Sequence, residues 1–398
     1  MELLFLAHRV PYPPNRGDKI RSFHLLKHLA RRARVHLLAF ADDARDAQHD
    51  AALAPWTASR TIIRRDKGRA RAAIEALARG KPVSLTAFAD PDMAHFCETL
   101  CRTRPIEAIF CFSGQMAQYL PADGPRVIMD FVDMDSAKFA GYAEGAHFPM
   151  SWMMRREARL LAAFERKIAA RADASLFVSE VEAALFRANG GAGRVVAIEN
   201  GIDTERFDPA ASFESVAAPQ SLIVFTGQMD YRPNVEAVRW FAEDILPRIR
   251  RAHDAHFAIV GRNPDTVVTA LAARSGVVVT GEVADVRGWL AAASVVVAPL
   301  KLARGVQNKV LEAMAMARPV VASAAAAEGI DHDGTIRVGH DAAGIADGVT
   351  ALLDDPAGAA ALGHAARARV IDRYGWDACL APLDALMGFD DAARRDAA

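Results

Sequence analysis

The sequence predicts an α/β protein made of two doubly wound parallel sheets. Three observations carry that reading. A length of 398 residues suits two domains of ~100–200 residues. Short apolar runs alternate with longer amphipathic stretches almost from end to end. The runs are continuous Val/Ile/Leu/Phe segments, as strands buried on both faces are, and not apolar-polar alternations. Hydrophobic residues make up 52% and charged residues 24% of the chain, which excludes wholesale disorder.

Taken in order, strands are expected in the first half at Leu3–Ala7, Val35–Phe40, Thr61–Ile63, Ala108–Phe112, Arg126–Asp130, Ala174–Val178 and Val195–Ile198. In the second half they are expected at Leu222–Gly227, His256–Gly261, Val277–Gly281, Val295–Pro299, Pro319–Ala322 and Ile336–Val338. Helical periodicity fills the intervals, for example at Ile20–Arg32, Trp152–Arg171, Val235–Ala252 and Asn308–Met316. Strand-helix-strand alternation in both halves is the pattern of parallel α/β sheets. Asp208–Gln220 has linker composition, and Gly388–Ala398 reads as a polar, Ala-rich tail. Open α/β sheets bind ligands at the carboxyl ends of their strands, so a ligand between two such lobes is expected.

Composition narrows the partners. A net charge of −1 gives no global attraction to nucleic acid. The longest apolar runs, such as Ser294–Leu300, fall far short of the ~18–20 residues that span a bilayer. Met1–Ala7 has the size of a buried strand, and no signal-peptide pattern is present, so a cytoplasmic protein is expected. The N-terminal half is basic and the C-terminal half acidic, which suits the first to an anionic ligand or the anionic face of a membrane. Cys97 and Cys101 share a helix face without the second pair a metal site needs. With Cys111 and Cys379 they read as reduced thiols.

Two segments carry the chemistry. His8–Arg21 (HRVPYPPNRGDKIR) follows the first strand: a proline-stiffened loop, then Gly17, then a helix. A strand, a Gly loop and a helix N-terminus form an anion site, to which Arg16, Lys19 and Arg21 add positive charge. The plainer reading is a rigid loop with a solvated basic face. His8, at the end of the strand, faces the cleft or is structural. The second segment is Arg304–Ser323 (RGVQNKVLEAMAMARPVVAS). Gly305, Val306 and Gln307 lead into a helix for which Asn308 is a plausible N-cap, with Lys309 and Arg304 placed to neutralise phosphate. Glu312, one turn in, could accept both hydroxyls of a ribose or simply complement the helix dipole. Between these segments, Asp133 either accepts a hydrogen bond from an acceptor hydroxyl or caps the next helix, and Asp133–Asp135 also admits a metal reading.

LEAMAMARPVVAS resembles the hallmark of family 4 retaining glycosyltransferases: Glu, seven residues, Glu-Ala-Met-Ala, then Gly and Pro-Val-Val. Further stretches agree in order and spacing. Glu199–Pro209 (ENGIDTERFDP) is similar to that family's Asn-Gly-Val-Asp…Phe-x-Pro segment, and Phe225–Asn234 (FTGQMDYRPN) to its donor-side strand and glycine loop. Gly281–Pro299 resembles the stretch that brackets the nucleobase, and Tyr374–Trp376 a terminal Tyr-x-Trp element before a returning helix. HRVPYPPNRGDKIRSFHLL and DFVDMDSAKFAGYA look most like the bacterial sugar transferases found with exosortase (PEP-CTERM) exopolysaccharide systems.

The resemblance implies a GT-B fold: two Rossmann-like domains facing a central cleft. The domains are an acceptor-side domain over residues 1–200, joined by a C-terminal helix at about 377–390, and a donor domain over 201–376. It implies transfer of a sugar from a nucleotide diphosphate sugar to a glycan hydroxyl with retention, and no cofactor or metal. Donor-side residues are then Gly17, Gly227, Gln228, Arg232, Glu282, Val283 and the run from Arg304 through Lys309, with Glu312 on the ribose. Asp133, His8 and Arg304 are the catalytic candidates; Arg16, Lys19 and Arg21 belong to the acceptor side. A lipid-linked glycan is the favoured acceptor, with peripheral contact at the cytoplasmic face of the membrane through basic groups such as Lys27–Arg34, Lys67–Arg71 and Trp152–Arg156.

Departures from the pattern matter. Arg304 stands where the first motif Glu should be, and a guanidinium cannot accept sugar hydroxyls. Gln228 replaces the usual Arg, leaving Arg232 as the nearest cation, and Ala317 replaces a Gly where positive φ costs about 1 kcal/mol. A nucleotide-sugar epimerase on the same fold, or a non-catalytic nucleotide-sugar-binding protein, are the alternatives.

Overall fold

A computed structural model of the chain describes residues 1–303 and 306–389. Two compact units emerge: residues 1–200 together with the C-terminal segment from Cys379, and residues 201–378. In unit 1 a seven-stranded sheet is built from β1 (Glu2–Ala7), β2 (Arg34–Ala41), β3 (Ser59–Arg64), β4 (Ile106–Phe112), β5 (Arg126–Val132), β6 (Ala174–Phe177) and β7 (Val195–Ala197). Its order is β3-β2-β1-β4-β5-β6-β7. In unit 2, β8 (Leu222–Thr226), β9 (His256–Val260), β10 (Val277–Gly281), β11 (Val295–Ala298), β12 (Val320–Ser323) and β13 (Arg337–Gly339) form a second sheet ordered β10-β9-β8-β11-β12-β13. Strand pairing in both sheets is parallel. Each strand expected from the sequence is present, its ends moved by no more than two residues.

The helices that matter below are α1 (Gly17–Ala30), α2 (Arg69–Ala78), α3 (Val83–Ala87), α4 (Asp135–Glu144), α5 (Met150–Ala169), α6 (Arg232–Trp240), α7 (Asn308–Ala315), α8 (Pro356–Tyr374) and α9 (Trp376–Met387). The single helix expected over Val235–Ala252 is instead α6, a π-helical turn at Phe241–Ile245 and a short helix at Leu246–Ile249. Pro247 is the reason: it has no N–H to give the preceding turn, which widens to accommodate it.

Continuous apolar strands give each unit its own core. Leu3 to Ala7 of β1 and Ile109 to Phe112 of β4 are fully buried, as are Ile223 to Phe225 of β8. The end of α9 is fastened to unit 1, where Asp384 pairs with His28 and Arg32, both at 2.9 Å, and Leu386 O accepts from Arg126 at 3.2 Å. In both sheets the strand order reverses beside the first strand, between β1 and β4 and between β8 and β11. Such reversals open a crevice at the carboxyl ends of the strands.

Candidate active site

In unit 2, the chain leaves β8 at Gly227, whose N–H donates to Val260 O at 3.0 Å. Gly261, after β9, has φ +155°, and a Cβ there would lie 1.6 Å from Gly227 O. The two loops therefore touch backbone to backbone, which only glycine permits. A Cβ on Gly227 would stand 2.8 Å from the Asn234 side-chain nitrogen and 3.1 Å from Lys309 Nζ. These contacts form the floor of a cavity of about 480 Å³.

Eight of the expected donor-side residues line this cavity: Gly227, Gln228, Glu282, Val283, Val306, Asn308, Lys309 and Glu312. Thr226, Asn234, Gly261, Arg262 and Val286 join them and were not anticipated. A Gly-Arg pair closing a buried strand is the signal that could have revealed Gly261 and Arg262. Arg232 is elsewhere: its side chain is 89% exposed and holds Glu236 one turn along α6 at 2.8 Å. Positive charge at the cavity comes from Arg262, which donates to Gln228 Oε1 at 3.3 Å, and from Lys309. Gln307 is the N-cap residue of α7 and Asn308 its first helical residue, which corrects the expected N-cap; among the described residues no side chain caps this end. Arg304 and Gly305 lie outside the described residues.

Lys309 Nζ donates to Asn234 Oδ1 at 2.5 Å and sits 4.1 Å from the centre of the Phe225 ring. Asn234 Nδ2 donates in turn to Gln228 O at 2.9 Å, so one carboxamide fixes both the lysine and the glycine loop. Burial pushes the Lys309 ammonium down to about 7. Glu312, one turn along α7, is pushed up to about 7 by burial, with Arg206 and Lys309 opposing. The Thr226 hydroxyl is buried without a hydrogen-bond partner among the described residues. A lysine amine poised to gain a proton, a carboxyl poised to lose one and an unsatisfied hydroxyl suit a ligand with a phosphate and a polar sugar face.

In unit 1 the expected cations are committed to the protein itself. Arg21 is 1% exposed, pairs with Asp130 at 2.9 Å and donates to Ile198 O and Asn200 Oδ1 at 2.8 and 2.9 Å. It belongs to the interior and offers no charge to an acceptor. Lys19 is also buried and pairs with Asp46 at 2.5 Å; Arg16 pairs with Asp18 at 2.7 Å. Gly17 is the first residue of α1, with open space where a Cβ would stand. His8 is buried, stacked on Phe112 at 5.6 Å, with Asp18 at 3.3 Å. Burial lowers its pKa while Asp18 resists.

Asp133 is exposed just past β5, beside Val132 at φ +69°. That conformation is uncommon for a β-branched residue. Ser113, just past the neighbouring β4, has φ +77°. Asp135 opens α4 and accepts from Gln115 at 3.2 Å. Among the described residues, no group of three His, Cys, Asp or Glu side chains could hold a metal ion, and no helix is long and apolar enough to cross a membrane.

Residues 220–355, most of unit 2, match the family model described as glycosyl transferases group 1. No curated protein matches the chain significantly. Among solved structures, a sucrose-phosphate synthase of Thermosynechococcus elongatus aligns over 99% of this chain and 100% of its own, with 19% identity and a TM-score of 0.60. The Anabaena protein HepE in complex with UDP aligns over 96% of this chain and 98% of its own, with 14% identity and a TM-score of 0.60. WaaG, a glycosyltransferase involved in lipopolysaccharide biosynthesis, aligns over 97% of this chain and 100% of its own, with 16% identity and a TM-score of 0.58. Two parallel sheets in these orders, shared with such structures, define the GT-B fold. With its second unit matching the group 1 model, the chain is a glycosyltransferase.

Proposed function

We propose that the enzyme moves a sugar from a nucleotide diphosphate sugar to a hydroxyl of a glycan, with retention at the anomeric carbon. The carrying observation is the unit 2 cavity, where the Gly227–Gly261 contact, Lys309 and Glu312 surround one space. The difficult step is departure of the diphosphate, and catalysis consists of stabilising the charge that grows on it. Lys309, Arg262 and the uncapped start of α7 supply that stabilisation. Glu312 takes the ribose hydroxyls, and the base lies by Glu282 and Val283. Attack from the face the diphosphate leaves accounts for retention without a protein nucleophile, the departing phosphate oxygen taking the acceptor proton. Unit 1 supplies the acceptor side, with Asp133 as its exposed carboxylate.

The favoured acceptor is a lipid-linked glycan on the way to an exopolysaccharide. HepE is described with UDP and with UDP-glucose, which favours a uridine diphosphate donor here. The test is a thermal-shift screen of UDP, GDP, ADP, CMP and their sugar conjugates, followed by transfer assays and NMR of the product's anomeric centre. One nucleotide should stabilise the protein, by about 2.7 kcal/mol at 100-fold excess over Kd, and Glu312→Ala should abolish the shift. An inert response to every nucleotide would overturn the reading, and donor binding without transfer to any glycan would reassign the chain as a binding protein.

A further inference from the structure

Unit 2 has a second cavity, of about 400 Å³, at the opposite edge of its sheet from the first. The first is built where strands end, at Thr226 of β8 and Val260 of β9. The second is built where strands begin: Ser221 precedes β8, Ser294 precedes β11 and Pro319 precedes β12. In a parallel sheet those edges lie a strand length apart, about 16 Å for a strand as short as β8. Apolar wall comes from Leu352 and Leu353, at the end of the helix Ala342–Asp354, and from Ala359 and Ala360 near the start of α8. Leu352 and Ala359 are buried, and Ala360 is exposed.

Arg318, between the end of α7 and the start of β12, brings a charge into this cavity. Its Nη1 donates to Ala293 O at 3.4 Å, a long contact to a neutral acceptor. Its Nε is buried and has no hydrogen-bond partner among the described residues. Burial pushes the guanidinium below the ordinary arginine value, and no carboxylate opposes that. None of the residues lining the cavity is acidic, and His364, exposed on α8, is the other ionisable group among them. The acids where the two helices meet are engaged: Asp354 pairs with His253 at 3.1 Å, and Asp355 accepts from Gly358 N at 2.9 Å. Arg367 on α8 shows the contrast, paired with Asp208 at 3.0 Å and donating to Phe207 O at 2.9 Å.

We propose that this cavity binds a small organic anion, its carboxylate or phosphate group paired with Arg318 and its apolar body against Leu352, Leu353 and Ala359. A guanidinium fork matches either oxyanion, and pairing relieves the cost of a buried charge left without a partner. Water could satisfy the free N–H but would leave the charge unpaired and the leucines wet. An apolar wall with one charged group, in a cavity of this volume, suits a ligand of metabolite size. The inference stands apart from sugar transfer, which uses the other edge of the sheet.

The experiment is a saturation-transfer NMR titration of the full chain with phenyl phosphate, benzoate and the uncharged benzyl alcohol. At least one anion should bind and benzyl alcohol should not; the tighter anion identifies the preferred head group. Arg318→Gln should weaken that binding roughly tenfold or more. Ala360→Phe, which keeps the guanidinium and fills the cavity from an exposed helix position, should weaken it as much. Lys309→Met, which alters the first cavity, should leave it unchanged. Failure of both anions to bind the unaltered chain, equal binding of benzyl alcohol, undiminished binding in Arg318→Gln or in Ala360→Phe, or loss of binding in Lys309→Met would overturn the proposal.

Discussion

Lys309 and Asn234 are joined by a 2.5 Å hydrogen bond at the floor of the unit 2 cavity, the lysine packed against the Phe225 ring. The carboxamide holds the ammonium without neutralising it, so its charge is left for a ligand. Lys309→Met keeps most of the volume and removes the charge. Charge-assisted hydrogen bonds are worth ~1.5–3 kcal/mol, so nucleotide diphosphate affinity should fall roughly 10- to 100-fold. Calorimetry with the nucleotide and with the nucleoside separates the causes: nucleoside affinity should hardly move. Equal losses for both would show that the lysine shapes the cavity and does not contact phosphate.

Lys309 and Glu312 together make stability depend on pH in an unusual direction. Glu312 has its folded pKa raised from 4.5 to about 7, so its contribution is present below pH 4.5 and is lost as pH rises through 7. Lys309 has its folded pKa lowered from 10.5 to about 7, so its contribution is present above pH 10.5 and is lost as pH falls through 7. The free enzyme should therefore have a local stability minimum near pH 7, each limb sloping by at most about 1.4 kcal/mol per pH unit. Glu312→Gln should flatten the acid limb and Lys309→Met the alkaline one, as read by urea unfolding across pH. Nucleotide binding at pH 8 should take up a proton, visible as a buffer-dependent binding enthalpy. Parallel stability profiles for the three proteins would refute the assignment.

What the sequence could show follows from how local each cause is. β1 and β4 are legible because strands buried on both faces must be apolar throughout. Lys309 and Glu312 are legible because they share one helix turn after a motif. Arg21 was misread because its spacing beside Arg16 and Lys19 says nothing of Asp130 and Asn200, over a hundred residues away in sequence. Asn234 and Arg262 were missed for the same reason: their roles come from contacts to Lys309 and Gln228 made only when β8 lies between β11 and β9. Arg232 points away because its neighbour Glu236 is four residues on, which competes locally for its charge.

Arg21 should behave as a structural residue. Arg21→Met would leave the Asp130 carboxylate, itself fully buried, without its partner, a loss of about 3–5 kcal/mol. Adding Asp130→Leu removes the orphaned charge and should restore much of the stability. Nucleotide affinity should be unchanged in the double variant. A reduced affinity at undiminished stability would return Arg21 to the ligand-binding residues.

Ala317 ends α7 in a strained conformation that glycine would relieve. Its φ is +53°, and the turn closes with Arg318 N donating to Ala313 O at 3.0 Å and Ala317 N to Met314 O at 2.9 Å. This is the Schellman arrangement, whose left-handed residue is usually glycine. Removing the Cβ recovers about 1 kcal/mol of backbone strain and gives back part of it through the freer unfolded chain. Ala317→Gly should thus stabilise unit 2 by roughly 0.5 kcal/mol, a small upward shift in urea midpoint at constant m-value. Gly363 supplies the opposite test, because helix α8 packs there directly on the same turn. A Cβ at Gly363 would stand 2.2 Å from Ala317 O, so Gly363→Ala should cost about 1–3 kcal/mol. If Ala317→Gly lowered stability instead, the left-handed turn would not be the conformation the chain adopts in solution.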